Sequence, residues 1–193
     1  MRHSLHNYFR MPGLISKIFF TTILVLTGTN LASAQDSSAG KIRWYTIEEV
    51  EQLSTTAPRK VMVDVYTDWC GWCKKMDSET FSHPVIADYI NRYYYPVKLN
   101  AESRESIIFR GQTFKFVENG SRGYHELAAG LLNGRLSYPS IAYLNEKLEL
   151  LGAVPGYRAP KDMEPLLNYI AEDKFVNESL EEYQKGFNSK IEN

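Results

Sequence analysis

The chain reads as α/β, with a central mixed β-sheet flanked by helices on both faces. Three observations predict this. Short β-branched or aromatic runs (Val61–Tyr66, Tyr95–Leu99, Ser140–Leu144) alternate with stretches of helical apolar spacing. Segments long enough to be crossover helices separate the first two runs, which suits parallel pairing. The third run is followed by the turn Asn145-Glu146-Lys147 and a hairpin partner over Leu148–Val154, which adds antiparallel pairing.

The elements follow in order. Residues 1–34 are set aside as a secretory leader. Arg2, Arg10 and Lys17 give a basic start without acidic residues, an apolar run spans Ile18–Leu26, and Ala32-Ser33-Ala34 is a small-x-small cleavage pattern before Gln35. The apolar run is shorter than the ~20 residues a spanning helix needs. The expectation is a periplasmic or secreted protein, mature from Gln35. Residues 35–41 are small and polar and read as a flexible start. The main domain is expected over 42–172. Its first helix, over 46–56, opens on Thr46 with Glu49 three residues on, a capping box. A strand over 61–66 leads to a helix that starts around Gly71–Cys73 and runs to about Thr80. Ser82-His83-Pro84 opens another helix to about Tyr93. After the strand 95–99 comes an insertion, about 101–122, in which Phe114–Val117 is a short strand before an Asn119-Gly120 turn. Tyr124–Leu132 has helical spacing and stops at Asn133-Gly134. The last core helix spans Lys161–Glu172, and 173–193 is a charged C-terminal tail.

Composition narrows the function classes. The chain is 44% hydrophobic and 23% charged, which excludes a disordered or fibrous protein. Without the three basic residues of 1–34, 19 Lys and Arg face 23 Asp and Glu, and no basic cluster suggests nucleic-acid binding. A monomer is expected.

The chemistry concentrates in Trp69-Cys70-Gly71-Trp72-Cys73-Lys74. The chain's two cysteines are three apart, after an expected strand and at the start of an expected helix. A helix N-terminus carries roughly half a positive charge and free N–H groups, so it stabilises a thiolate, the attacking species in disulfide exchange. Cys70 is expected at the exposed helix end as the nucleophile, and Cys73 one turn inside as the resolving thiol. Neither His83 nor His125 has ligand spacing to the pair, so no metal site is expected. Residue 74 is Lys, which removes the haem-attachment pattern.

The segment Val61-Met-Val-Asp-Val-Tyr-Thr-Asp-Trp-Cys-Gly-Trp-Cys-Lys74 resembles the active-site segment of thioredoxins. It is also similar to the C-terminal thioredoxin-like domain of the transmembrane disulfide reductase of the Dsb system. The resemblance implies a thioredoxin fold with the insertion preceding the cis-proline loop. It places Asp64 where thioredoxins keep a buried acid, able to take the proton of Cys73. It places Trp69 on the aromatic before the first cysteine, and Tyr138-Pro139-Ser140 on the cis-proline loop beside the dithiol. Trp69, Gly71, Trp72, Tyr138 and Pro139 are then the substrate-contacting residues. Two features depart from the family: Trp72 replaces the usual proline, and the insertion, suited to shaping a substrate groove, adds about twenty residues.

The resemblance implies an exported thiol–disulfide oxidoreductase that reduces protein disulfides. Its partners would be protein thiols and disulfides, and a membrane disulfide reductase would supply electrons. It needs no cofactor beyond the redox-active Cys70–Cys73 pair. The alternatives are a disulfide oxidase or isomerase, and a non-enzymatic thiol-based metal- or client-binding protein.

Overall fold

The computed structural model describes residues 40–120 and 122–192. The leader expected over 1–34, and all but the last two residues of the flexible start, lie outside the described residues.

Four strands form the central sheet in the order β2-β1-β7-β8. β1 (Lys60–Tyr66) is flanked by β2 (Tyr94–Asn100), which runs parallel to it, and by β7 (Ser140–Leu144), which runs antiparallel. β8 (Leu150–Pro155) closes the far edge as the hairpin partner of β7. Strand alternation divides the core into two layers. Val61, Val63 and Val65 face one side with Val97, Leu99, Ala142 and Leu144. That side is covered by Ile47 and Val50 of α1 (Ile47–Ser54) and by Leu127 and Leu131 of α4 (Glu126–Leu131). Met62, Ile141 and Tyr143 face the other side, against Met76, Phe81, Ile86, Ile90, Leu166 and Leu167. These come from α2 (Gly71–Met76) and the π-helical turn that extends it (Asp77–Phe81), from α3 (Pro84–Tyr93) and from α5 (Pro160–Ala171). Truncating a fully buried residue such as Met62 or Leu167 to Ala would cost about 2–5 kcal/mol.

Local chemistry explains the boundaries. The capping box of α1 is present: Glu49 N donates to Thr46 Oγ1 at 3.2 Å, and Thr46 N donates to Glu49 Oε2 at 2.8 Å. α3 begins with Pro84 in its first turn after His83, whose side chain makes no capping bond. Lys60, only 4% exposed, is held at the start of β1 by Glu146 at 2.8 Å and Asp173 at 2.9 Å.

The insertion differs most from expectation. It folds as two hairpins, β3 (Ile107–Phe109) with β4 (Gln112–Phe114), and β5 (Phe116–Asn119) with β6 (Arg122–His125). The strand expected over Phe114–Val117 is broken at Lys115, whose backbone turns aside to bond Glu126: its N–H reaches Glu126 Oε2 at 2.7 Å, and its carbonyl accepts Glu126 N at 2.9 Å. The helix expected from Tyr124 begins only at Glu126. His125 is its N-cap; Nδ1 accepts from Leu127 N at 3.2 Å, while His125 N donates to Ala101 O at 2.7 Å. The apolar spacing of 124–132 therefore spans a strand end and a helix start.

The segment read as a charged tail folds back onto the domain. A 3-10 turn (Lys174–Val176) precedes α6 (Leu180–Gly186), which carries its own capping box between Ser179 and Glu182. Beyond it, Ser189 Oγ and Lys190 N donate to the buried carboxylate of Glu164 at 2.5 and 2.9 Å, and Leu180 and Ile191 pack against the core.

Candidate active site

The dithiol sits where β1 hands over to α2. β1 ends at Tyr66, and Thr67 O accepts Cys70 N at 3.1 Å, which turns the chain into the helix. Cys70 is the N-cap of α2, with extended backbone angles, and Lys74 N donates to its carbonyl at 3.2 Å. Its Sγ takes the place of a capping oxygen and accepts the N–H of Cys73 at 3.1 Å. The two sulfurs are joined as a disulfide. In this bonded form Cys70 is not the exposed member of an unequal pair: Cys70 is 4% and Cys73 3% exposed. The reason is local. The Cys70 sulfur points back along the helix toward Cys73 and its amide, and is spent on both.

Asp64 lies behind the pair. It alternates with Met62, so it points to the sheet face on which the helical segment carrying Cys73 packs through Met76 and Phe81. Asp64 is 1% exposed, and the loss of water lifts its carboxyl to about 6 against the opposing pull of Lys98. Lys98 Nζ lies 2.7 Å from Asp64 Oδ2 as an ion pair. The same ammonium meets Asp77 at the end of α2, and it lies 4.9 Å from the ring centre of Trp44 and 5.0 Å from that of Tyr66. Burial weakens its charged form, but the two carboxylates outweigh this and hold its pKa above the usual lysine value.

The aromatic residues frame the opening. Trp69 and Trp72 are 54% and 58% exposed, on either side of Cys70 and Gly71. Trp72 stacks at 5.4 Å on Tyr157, whose hydroxyl donates to Glu79 Oε2 at 2.6 Å, and Lys75 lies over both rings. On the other side Trp69 meets Tyr138 edge-on at 6.1 Å, which sets the Tyr138-Pro139 turn against the residue before Cys70. The Tyr138–Pro139 bond is cis, Pro139 is buried, and its carbonyl accepts Gly156 N at 2.8 Å. A Cβ at Gly71 would meet open space, so packing does not demand glycine there; its absence leaves the approach to the disulfide clear.

Of the eight residues singled out from the sequence, Cys70, Gly71, Trp72 and Cys73 share the start of α2, Trp69 precedes them and meets Tyr138 of the Tyr138-Pro139 turn, and Asp64 faces the side of the sheet on which the helical segment packs. Sequence reasoning missed Lys98, Asp77, Glu102 and Arg122. Glu102 accepts Trp69 Nε1–H at 3.0 and 3.1 Å, and the Arg122 guanidinium lies 4.7 Å from the Trp69 ring centre. A signal existed for Lys98. It is the one charge in the apolar run Tyr94–Leu99, and parallel register sets it opposite Asp64.

Comparison with known proteins agrees with this geometry. The profile of the thioredoxin-like domain family matches residues 48–171. The protein is 35% identical over 63 residues to the thiol:disulfide interchange protein DsbD of Vibrio vulnificus strain YJ016, a stretch covering 31% of this chain and 10% of that one. The match thus spans about a tenth of the length of that relative. A thioredoxin-fold protein from Helicobacter pylori superposes with a TM-score of 0.53 at 16% identity, over 66% of this chain and 83% of its own. A thioredoxin from Thermus thermophilus gives 0.50 at 20% identity, over 67% and 87%.

The chain belongs to the thioredoxin-like family. With the Cys70–Cys73 pair at the head of α2, family membership supports a thiol–disulfide oxidoreductase.

Proposed function

We propose that this protein is an exported reductase of protein disulfides. The observation that carries the reading is the buried, elevated carboxyl of Asp64 on the sheet face behind a Cys70–Cys73 pair seated at a strand-to-helix turn. In the reduced protein, the Cys70 thiolate attacks one sulfur of a substrate disulfide. The other substrate sulfur leaves as a thiolate, and a mixed disulfide forms. Asp64 takes the proton of Cys73, whose thiolate then attacks Cys70 Sγ. The second substrate thiolate departs, Cys70–Cys73 closes, and two electrons have passed to the substrate. A carboxyl with a pKa of about 6 is suited to this step: ionised often enough near neutral pH to accept a proton, basic enough to hold it.

Trp69, Gly71, Trp72, Tyr138 and Pro139 form the substrate-facing rim. The leader over 1–34 supports export and a mature start at Gln35. In an oxidising compartment the protein then needs a two-electron donor, for which a membrane disulfide reductase is the fitting class. Intact mass of protein from an exporting host is expected to start at Gln35; a mass retaining the apolar run would mean an anchored protein. The direction is tested by the reduction potential of the pair. A value near thioredoxin's, about −270 mV, is expected, together with insulin reduction that Cys70→Ser abolishes; a value near about −120 mV would make the protein an oxidant.

A further inference from the structure

A groove of about 310 Å³ runs from Trp69 along the inserted hairpin β5–β6. Trp69, Tyr138, Leu136 and Glu102 line it together with Tyr124 and Arg122 of β6. The hairpin wall is braced from within. The Phe116 ring lies against Gly123, where a Cβ would stand 2.1 Å from Phe116 Cζ, so only glycine lets the ring close over the strand. Arg104 covers the same ring at 4.4 Å and reaches Glu118 at 3.5 Å. Trp69 is itself pinned, by Glu102 at its indole nitrogen and by Arg122 at its face. Arg122 is exposed, and among the described residues no carboxylate lies within ion-pair reach of it. Both Glu102 oxygens are already turned to Trp69. The groove thus offers aromatic walls, a Glu102 carboxylate bound to the Trp69 indole, and an Arg122 guanidinium that lies on Trp69 with no ion-pair partner among the described residues.

We infer that this hairpin is a client-selecting wall, and that its occupant is an extended polypeptide segment carrying a large apolar side chain and a neighbouring acidic residue beside its cysteine. The apolar side chain lies between Trp69 and Tyr124, and the carboxylate meets Arg122. Electrostatic complementarity at such a rim acts mainly on partner choice. The inference rests on the exchange reading only for why a cysteine-bearing segment comes to Cys70.

The test separates the two. Four peptides with serine in place of cysteine, combining Phe or Gly at one neighbouring position with Glu or Lys at the other, are titrated onto the oxidised protein by fluorescence anisotropy. The Phe/Glu peptide is expected to bind most tightly, with Glu preferred over Lys by about fivefold at low salt. Arg122→Glu is expected to reverse the Glu-over-Lys preference, and Arg122→Ala to abolish it without reversal. Tyr124→Ala is expected to reduce the Phe-over-Gly preference. Equal binding of all four peptides, or a Glu preference that survives Arg122→Glu, would overturn the assignment. No peptide carries sulfur, so the outcome is independent of insulin turnover, which judges the exchange chemistry separately.

Discussion

The two sides of the dithiol are built on opposite principles. Behind it, Lys98 joins Asp64 and Asp77 in a charged chain whose Asp64 carboxylate is almost wholly removed from water. In front of it, Glu102, Trp69 and Arg122 form a charged chain in which the indole is more than half exposed. Desolvation disfavours a buried charge strongly, so behind the dithiol one residue controls proton affinity. Water and salt screen the exposed groups, so in front each contact is worth only about 0.2–1 kcal/mol and acts by steering. On the proposed reading the back of the site serves the chemistry and the front the choice of partner.

The comparison breaks most visibly at the sulfurs. Cys70→Ser is expected to abolish disulfide reduction altogether, whereas Cys73→Ser is expected to accumulate a mixed disulfide with substrate, seen by intact mass. Capture by the Cys70→Ser protein instead would invert the assigned roles.

The next effect in size belongs to Asp64. Asp64→Asn is expected to slow resolution of the mixed disulfide by about 10²-fold while formation stays within about twofold, measured by stopped-flow with a single-turnover substrate. Equal slowing of both steps would leave Asp64 a structural role alone. The same substitution sharpens the energetic side. The Asp64 pKa is raised from 3.8 to about 6 on folding, so the folded protein holds a proton that the unfolded chain releases between those values. Its contribution to stability is fully present below about pH 3.8 and is lost as pH rises through about 6. Asp64→Asn is therefore expected to stabilise the protein at pH 7.5, by at most about 3 kcal/mol, with the gain vanishing near pH 4 in urea melts.

Lys98 tests the chain one step further out. Its positive charge opposes the desolvation of Asp64, so Lys98→Met is expected to move the Asp64 titration above its present midpoint of about 6, followed by the carboxyl carbon signal in NMR. The pH at which resolution becomes efficient is expected to rise with it. A downward movement would mean that Lys98 does not act on Asp64 electrostatically.

The smallest effect is expected in front. Glu102→Ala frees the Trp69 indole and is expected to weaken protein-substrate binding by a few fold, with stability changed by no more than about 1 kcal/mol. Glu102→Gln keeps an acceptor for the indole N–H and is expected to retain most of the affinity. Equal losses in both variants would assign the effect to charge instead of to the position of Trp69.

What the sequence by itself determined is local. The capping box at Thr46 and Glu49, the β-branched run at 61–66, and the Cys-Gly-Trp-Cys turn each carry their structural instruction within a few neighbouring residues. Asp64 was readable through the resemblance to thioredoxins, which keep a buried acid at that place, and its apolar neighbours on β1 pointed to burial. What only the tertiary structure decided is wherever two distant segments share one physical constraint. Residues 124–132 have apolar spacing that suits a helix, yet the backbone of Tyr124 and His125 goes to β5 and to Ala101, and His125 spends its ring on capping the helix that starts only at Glu126. Lys98 and Asp64 are paired by strand register, Glu102 and Arg122 by the way the insertion folds back over Trp69. A hydrogen bond or ion pair closed across thirty or more residues leaves no periodic trace along the chain, because its partners meet only once the core has packed.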